Sequence, residues 1–196
     1  MMSMNKDNAV ALVTGASIGI GRATAKALQD AGFQVFGTSR RAAAKRADGV
    51  TMLTCDVTDD ASVAKLVDEM LSKAGRIDLL VNNAGVGLLG GAEESSIAQA
   101  QALFDVNLFG VIRVTNAVLP AMRRQGKGRI INMSSILGLI PAPYSALYAS
   151  TKHALEGYSE SLERFPNGLN RGGFPNQQRS DSSCMLVILR RRTLHR

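Results

Sequence analysis

The chain has 196 residues, of which 45% are hydrophobic and 20% charged, so we expect one folded domain and exclude a disordered chain. Two cysteines, Cys55 and Cys184, are too few for a disulfide scaffold and lack zinc-site spacing, which predicts a reducing, cytoplasmic location and no metal. The net charge is +7, but residues 162–196 hold seven arginines against two acidic residues, which disfavours nucleic-acid binding by the rest of the chain. Residues 1–8 are polar and no apolar run approaches membrane-spanning length, so neither a secretory signal nor membrane attachment is expected.

Apolar, β-branched runs alternate with amphipathic helical patterns over the first 164 residues. This alternation predicts right-handed crossovers and an α/β fold with a doubly wound, Rossmann-like parallel sheet. Strands are predicted at 9–14, 33–39, 50–54, 77–81 and 129–133, and helices at 21–31, 60–73, 97–124 (interrupted near Pro120) and 145–164.

The character of the sequence changes near residue 165. Residues 166–183 consist mostly of Pro, Gly, Asn, Gln, Ser and Arg, and a stretch of this length is not typical of a loop inside a domain. The apolar run 184–189 is consistent with a short strand. We therefore predict a folded domain over residues 1–164 and a basic tail of little order over residues 165–196.

A glycine-rich turn joins the first strand to the first helix. Turns in this position bind anions, because free N–H groups and the helix dipole face the ligand. Gly15 would form the tight turn, Gly19 would let a pyrophosphate approach, and Gly21 would allow close packing. The turn lacks the Lys of a P-loop, which favours a dinucleotide over ATP; the alternative is a plain turn with packing glycines. The predicted binding residues are Gly15, Ser17, Ile18, Gly19, Ile20 and Gly21.

The end of the second strand indicates which dinucleotide binds. Arg40 follows this strand, and no acidic residue is near it. An acidic residue here would hold the free ribose hydroxyl of NAD(H), whereas a guanidinium can bind the 2′-phosphate of NADP(H) through paired hydrogen bonds. We therefore predict NADP(H) as the cofactor; the alternative is that Arg40 and Arg41 are a solvated pair.

Tyr148 and Lys152 are four residues apart and share one face of a predicted helix. A phenol is a poor base at neutral pH unless a neighbouring cation favours its ionised form, so the pair suits acid/base work on an alcohol or carbonyl. Alone, the pair also fits an ordinary amphipathic surface. Ser135 follows the fifth strand and could hydrogen-bond the substrate oxygen, with Ser134 as the competing candidate.

The sequence resembles the classical short-chain dehydrogenase/reductase family over about residues 8–164. Each matching piece is modest, but their shared order and spacing are highly specific. The pieces are Thr14-Gly15-x-x-x-Gly19-x-Gly21, Cys55-Asp56-Val57, Asn82-Asn83-Ala84-Gly85, Val106-Asn107-Leu108, Ser135 and Tyr148-x-x-x-Lys152.

The resemblance implies a dinucleotide-binding and catalytic domain that transfers hydride between NADP(H) and a small-molecule alcohol or carbonyl substrate. Tyr148 would be the acid/base, Lys152 would assist it and bind the nicotinamide ribose, and Ser135 would orient the substrate oxygen. Asn107 would support a water in a proton relay. The remaining cofactor contacts would come from Asp56 and Val57 at the adenine and from Asn83, Ala84 and Gly85 at the ribose.

The resemblance ends near Arg164. Family members continue with a sixth strand, a Pro-Gly segment clasping the nicotinamide, a substrate lid and a seventh strand, none of which is recognisable here. The hypothesis is a truncated or frame-shifted member whose sheet is incomplete at its C-terminal side, leaving the strand of the glycine turn or its neighbour uncovered. We expect weakened NADPH binding and low turnover. The alternative function is an impaired nucleotide-binding remnant or interaction protein. Complete relatives are expected to form homo-oligomers.

Overall fold

Strands and helices alternate along most of the computed structural model, which describes residues 9–41, 48–163 and 184–188. The strands are β1 (Val10–Val13), β2 (Gln34–Ser39), β3 (Thr51–Thr54), β4 (Leu79–Asn82), β5 (Gly128–Asn132) and β6 (Cys184–Ile188). The helices are α1 (Gly19–Asp30), α2 (Asp60–Ala74), α3 (Ile97–Phe104), α4 (Gly110–Gln125) and α5 (Ala146–Glu163).

The strands form one parallel sheet in the order β3-β2-β1-β4-β5-β6. Leu12 of β1 is opposite Phe36 of β2 and Leu80 of β4, and all three side chains are fully buried. Burial on both faces explains why the central strand β1 is apolar throughout instead of alternating. The predicted doubly wound sheet is therefore confirmed, with its order reversing between β1 and β4.

The expectation that β1 or its neighbour would lack cover is wrong. β1 is central, with β2 on one side and β4 on the other, and the last described strand adds to the far side of β5. The predicted strand at 184–189 is observed as β6, which pairs in parallel with β5. Arg164, the last residue of the predicted domain, and residues 165–183 and 189–196 of the predicted tail lie outside the described residues.

The long predicted helix is irregular at a different place from the one expected. α4 continues through Pro120, so the predicted interruption there is wrong. Instead, a π-helical turn over Asp105–Phe109 joins α3 to α4. Such turns often mark functional sites, and this one contains the predicted site residue Asn107.

The combined helical stretch Ile97–Gln125 also corrects the expectation about membrane-spanning length. By length and composition alone it is long and apolar enough to cross a membrane, with a mean hydropathy of 1.4 over 18 residues. In this fold 44% of that window is buried, and Val114, Val118 and Met122 belong to the core beside the sheet. Core helices of ordinary globular domains pass the same test, so the stretch carries no membrane assignment.

Polar side chains form hydrogen bonds at the edge of the sheet where β1 and β4 begin, which is called the amino edge below. Asp78 accepts hydrogen bonds from Val10 N at 2.9 Å and Arg76 Nε at 2.7 Å, and Gln125 pairs with both backbone groups of Ile77. Burial alone would raise the pKa of Asp78, but the hydrogen bonds from Arg76 and Val10 outweigh it, and the pKa lies below its ordinary value.

Candidate active site

The glycine-rich turn lies at the opposite edge, where β1 to β5 end, hereafter the carboxyl edge. Gly15 and Gly19 have φ angles of +66° and +56°, which L residues with a Cβ rarely adopt. A Cβ at Gly15 would lie 2.9 Å from the Cα of Ala84, and one at Gly21 would collide with the Asn83 side chain and the Gly15 carbonyl. Gly15 and Gly21 are therefore required for packing as well as for the turn.

Gly19 differs from the other two glycines because a Cβ there would meet nothing within 4 Å. α1 begins at this residue, and its N-cap residue Ile18 offers no side-chain acceptor for the first N–H groups of the helix. Open space beside uncapped helix donors fits a phosphate group. Ser17, Ile18 and Ile20 are exposed around this space, so the turn fits the predicted dinucleotide.

Thr14 and Asn83 connect the glycine turn to the loop after β4. The Thr14 hydroxyl accepts hydrogen bonds from the backbone N–H groups of Asn83 and Ala84, both at 3.0 Å. In return, Asn83 Nδ2 donates to the carbonyls of Thr14 at 2.9 Å and Gly15 at 3.1 Å. Asn83 therefore stabilises the glycine turn, whereas the resemblance had implied a contact with the cofactor ribose for this residue. Thr14 was not among the predicted site residues, although it directly precedes Gly15.

Arg40 and Asp56 follow neighbouring strands at this edge. Asp56 Oδ1 accepts hydrogen bonds from the backbone and hydroxyl of Thr58, and these bonds, with lesser help from the nearby Arg40 guanidinium, lower the pKa of Asp56. Arg40 is exposed, so its guanidinium is accessible to a ligand. The Val57 side chain is buried beneath Gly110, which leaves only its backbone for the predicted adenine contact.

Asn107 joins the π-helical turn to the loop after β4. Its Nδ2 donates to Val86 O at 2.9 Å and to Thr151 Oγ1 at 3.2 Å, and its Oδ1 accepts from Val86 N at 2.9 Å. Gly85 is exposed beside this contact. The Asn107 side chain therefore holds the loop after β4 and contacts α5. A water in the predicted proton relay would have to bond Asn107 in addition to these three hydrogen bonds.

The two candidate serines after β5 have different environments. Ser134 Oγ is fully buried without a hydrogen-bond partner and lies next to Gly138, where a substrate has no access. Ser135 Oγ accepts from Leu137 N at 3.2 Å and begins the short 3-10 turn Ile136–Gly138, and its residue is half-buried. Between the two, the geometry favours Ser135 as the group that meets a substrate oxygen.

α5 carries Tyr148 and Lys152 into the same region. Lys152 Nζ donates to Met133 O at 2.9 Å and lies 5.7 Å from the centre of the Tyr148 ring. Lys152 is 7% exposed, and burial lowers its pKa while the carboxylate of Glu156 partly opposes that shift. A buried ammonium is therefore held between the end of β5 and the phenol.

A chain of buried polar side chains supports the site from behind. Asn82 Nδ2 donates to Thr115 Oγ1 at 3.1 Å and Asn132 Oδ1 at 2.9 Å, and Asn132 Nδ2 donates to Ser159 Oγ at 2.8 Å. Tyr158 also bonds Thr115, and burial raises the pKa of its hydroxyl. Sequence reasoning missed this network, although polar residues ending two apolar strands were a usable signal.

The family model described as short chain dehydrogenase matches residues 9–165. The chain belongs to this family. Its members are oxidoreductases that bind a nicotinamide cofactor and act on small molecules. The 3-ketodihydrosphingosine reductase of Bacteroides thetaiotaomicron is 43% identical over 153 residues, covering 78% of this chain and 56% of the reductase.

Two solved structures share the fold of this chain. A short-chain dehydrogenase from Streptomyces avermitilis superposes with a TM-score of 0.80 at 36% identity, covering 93% of this chain and 64% of that one. ElxO with NADP bound superposes with a TM-score of 0.76 at 31% identity, covering 82% of this chain and 69% of ElxO. The chain thus spans little more than half the length of the curated reductase and about two thirds of these structures.

Proposed function

We propose that the chain is an NADP(H)-dependent oxidoreductase that interconverts an alcohol and a carbonyl compound. The observation that carries this proposal is the position of Lys152, which is buried, donates to Met133 O and lies 5.7 Å from the Tyr148 ring. Because this pair lies at the same edge of the sheet as the glycine turn, the acid/base group and the dinucleotide would meet in one crevice.

Tyr148, Ser135 and Lys152 have separate roles in carbonyl reduction. When bound, the cofactor supplies a hydride to the carbonyl carbon. Tyr148 donates its hydroxyl proton to the substrate oxygen, and Ser135 donates a hydrogen bond to that oxygen as negative charge develops. The Lys152 ammonium stabilises the resulting phenolate until solvent returns the proton. A carbonyl compound, NADPH and a proton therefore give an alcohol and NADP⁺, and oxidation of the alcohol is the reverse.

Arg40 supports the choice of NADP(H). It is exposed directly after β2, and the nearby carboxylate is Asp56 of the next strand, which already bonds Thr58. A guanidinium at this place is suited to the ribose 2′-phosphate and disfavours NAD(H), which lacks this group. The related structure of ElxO has NADP bound.

Exposed apolar side chains support an apolar substrate. Leu89, Ile136, Leu139 and Ile140 are exposed in the segments that follow β4 and β5 at the carboxyl edge, where the proposed acid/base group also lies. Apolar surface of this kind near a crevice is typical of a ligand-binding wall. The Bacteroides reductase is named for 3-ketodihydrosphingosine, a ketone with a long hydrocarbon chain.

Cofactor fluorescence titrations of the full chain test the proposal. We expect NADPH to bind about ten-fold or more tightly than NADH, because a charged hydrogen bond to phosphate contributes about 1.5–3 kcal/mol. Arg40→Asp should reverse this preference. Arg41→Asp makes the same change of charge one residue further on and should weaken NADPH less. Equal binding of NADPH and NADH by the unmodified chain contradicts the cofactor assignment.

A further inference from the structure

Tyr144 has an unusual backbone conformation for its residue type. Its φ of +60° makes it the sole non-glycine residue with a positive φ in the described ranges 9–41, 48–163 and 184–188. Left-handed backbone is disfavoured for a bulky residue, and Gly or Asn would adopt it with less strain. The side chain is 74% exposed, so burial of the ring does not compensate.

Contacts of the Tyr144 carbonyl and of the next residue hold this conformation. Its carbonyl accepts a hydrogen bond from Gly90 N at 2.9 Å, which ties it to the loop after β4. The next residue, Ser145, is 4% exposed, and its carbonyl accepts the first-turn N–H of Ala149 at 2.7 Å. Strain persists where the surroundings fix the backbone in this way, and such positions cluster at ligand-binding sites.

The backbone of Tyr144 is bonded to a loop that carries exposed apolar side chains. Leu89, which is 78% exposed, directly precedes Gly90, the residue bonded to Tyr144, and Ile140, which is 62% exposed, lies four residues before Tyr144 in the chain. Tyr144 lies four residues before Tyr148, the proposed acid/base group. A hydrocarbon chain attached to the reacting carbon would therefore leave the crevice past these three side chains.

We propose that Tyr144 determines substrate specificity by packing its ring against the hydrocarbon part of an apolar alcohol or carbonyl substrate. This inference rests on the proposed function, because the substrate must enter beside Tyr148. Leu89 and Ile140 form the rest of this subsite. The strained backbone is retained because it directs the ring to the substrate, at some expense of local stability.

Binding of a series of primary alcohols to the full chain with NADP⁺ tests the subsite. Saturation-transfer NMR competition with 1-butanol, 1-hexanol and 1-octanol gives the gain in affinity for each added methylene. We expect about two- to four-fold per methylene, since a buried methylene contributes about 0.8 kcal/mol. Tyr144→Gly and Tyr144→Asn should reduce this gain to nearly nothing without lowering the thermal midpoint, because both residues tolerate the backbone. Tyr144→Phe should retain the gain.

The inference is overturned if Tyr144→Gly keeps the same gain in affinity per methylene. It is also overturned if Tyr144→Phe loses that gain, because the gain would then depend on the tyrosine hydroxyl. Oxidation of NADPH with 2-octanone, measured on the same samples, separates the two proposals. A chain-length dependence without any oxidation supports the subsite and contradicts the proposed function. Oxidation without a chain-length dependence supports the function and overturns the subsite.

Discussion

The two edges of the sheet differ in how their polar groups are partnered. At the amino edge, Asp78 bonds Arg76 and Val10, and Gln125 satisfies both backbone groups of Ile77. At the carboxyl edge, Ser134 Oγ and one oxygen of Glu156 are buried without partners, burial lowers the pKa of Lys152, and Tyr144 is strained.

This difference separates the part of the molecule that stabilises the fold from the part suited to chemistry. Among the described residues, the amino edge has one buried polar atom without a partner, Gln29 Oε1 beside Gly49, whereas several unfavourable features lie together at the carboxyl edge. Unfavourable features concentrated in one region indicate a site retained for function, because stability alone would remove them. Substitutions at the two edges should therefore affect stability in opposite ways, apart from the glycines that shape the turn.

The glycine turn gives the largest expected effect. Gly21→Ala should lower the free energy of unfolding by about 3 kcal/mol, because its Cβ would collide with the backbone of Gly15 and the side chain of Asn83. In Gly19→Ala the added Cβ meets no neighbour, so the free energy of unfolding should fall by about 1 kcal/mol from backbone strain alone. Urea unfolding of both variants measures the difference. Equal destabilisation would show that the turn is not packed as described.

The amino edge should show the next largest effect. Asp78→Ala leaves Arg76 and the N–H of Val10 without their shared acceptor, so we expect a loss of about 2 kcal/mol in the free energy of unfolding. Asp30→Ala removes an exposed carboxylate paired with Lys26 and should lose about 0.5 kcal/mol or less. If the two variants unfold at the same urea concentration, the amino edge does not have the stabilising role assigned to it.

The same carboxylate predicts a dependence on pH. Since the folded-state pKa of Asp78 lies below its ordinary value of about 3.9, the charged form is favoured by folding. Its contribution is therefore present above about pH 4 and lost as the pH falls through the folded pKa. Asp78→Asn should flatten this part of the acid unfolding profile. A profile identical to that of the unmodified chain would assign acid sensitivity to other groups.

Substitution of Lys152 should change the free energy of unfolding least, although the residue is buried. Burial lowers its pKa, so the charged form is disfavoured in the folded chain at neutral pH, and this penalty is relieved as the pH rises. Lys152→Met should leave the free energy of unfolding unchanged or raise it by up to about 1 kcal/mol, since it removes that penalty together with one hydrogen bond. Lys26→Met is the exposed control. A loss above about 2 kcal/mol would make Lys152 a structural residue.

The sequence predicted the sheet well because the central strands β1 and β4 are buried along their whole length and read as largely apolar runs, as Val10–Val13 illustrates. It did not predict the π-helical turn at Asp105–Phe109, since nothing in the local pattern departs from an ordinary helix. It placed an interruption at Pro120 instead, where the surrounding helix tolerates the missing N–H. Local signals therefore predicted the elements but not their irregularities.

The candidate site was predicted at the level of motifs and missed at the level of contacts. Gly15, Tyr148 and Lys152 could be found because the spacing of each motif along the chain predicts a tight turn or a shared helix face. The bonds of Thr14 to Asn83 and of Asn107 to Val86 join residues far apart in the chain, and only the folded topology shows them. The strain at Tyr144 likewise depends on Gly90, more than fifty positions earlier.

The most direct test of the central claim compares Tyr148→Phe with Tyr158→Phe in NADPH-dependent reduction of 2-octanone by the full chain. Both variants lose one hydroxyl from α5, but Tyr158 bonds Thr115 behind the site. We predict that Tyr148→Phe binds NADPH as before and reduces the ketone about 100-fold more slowly or not at all, while Tyr158→Phe keeps the rate. A Tyr148→Phe variant as fast as the unmodified chain, or no reduction by the unmodified chain, would contradict the account.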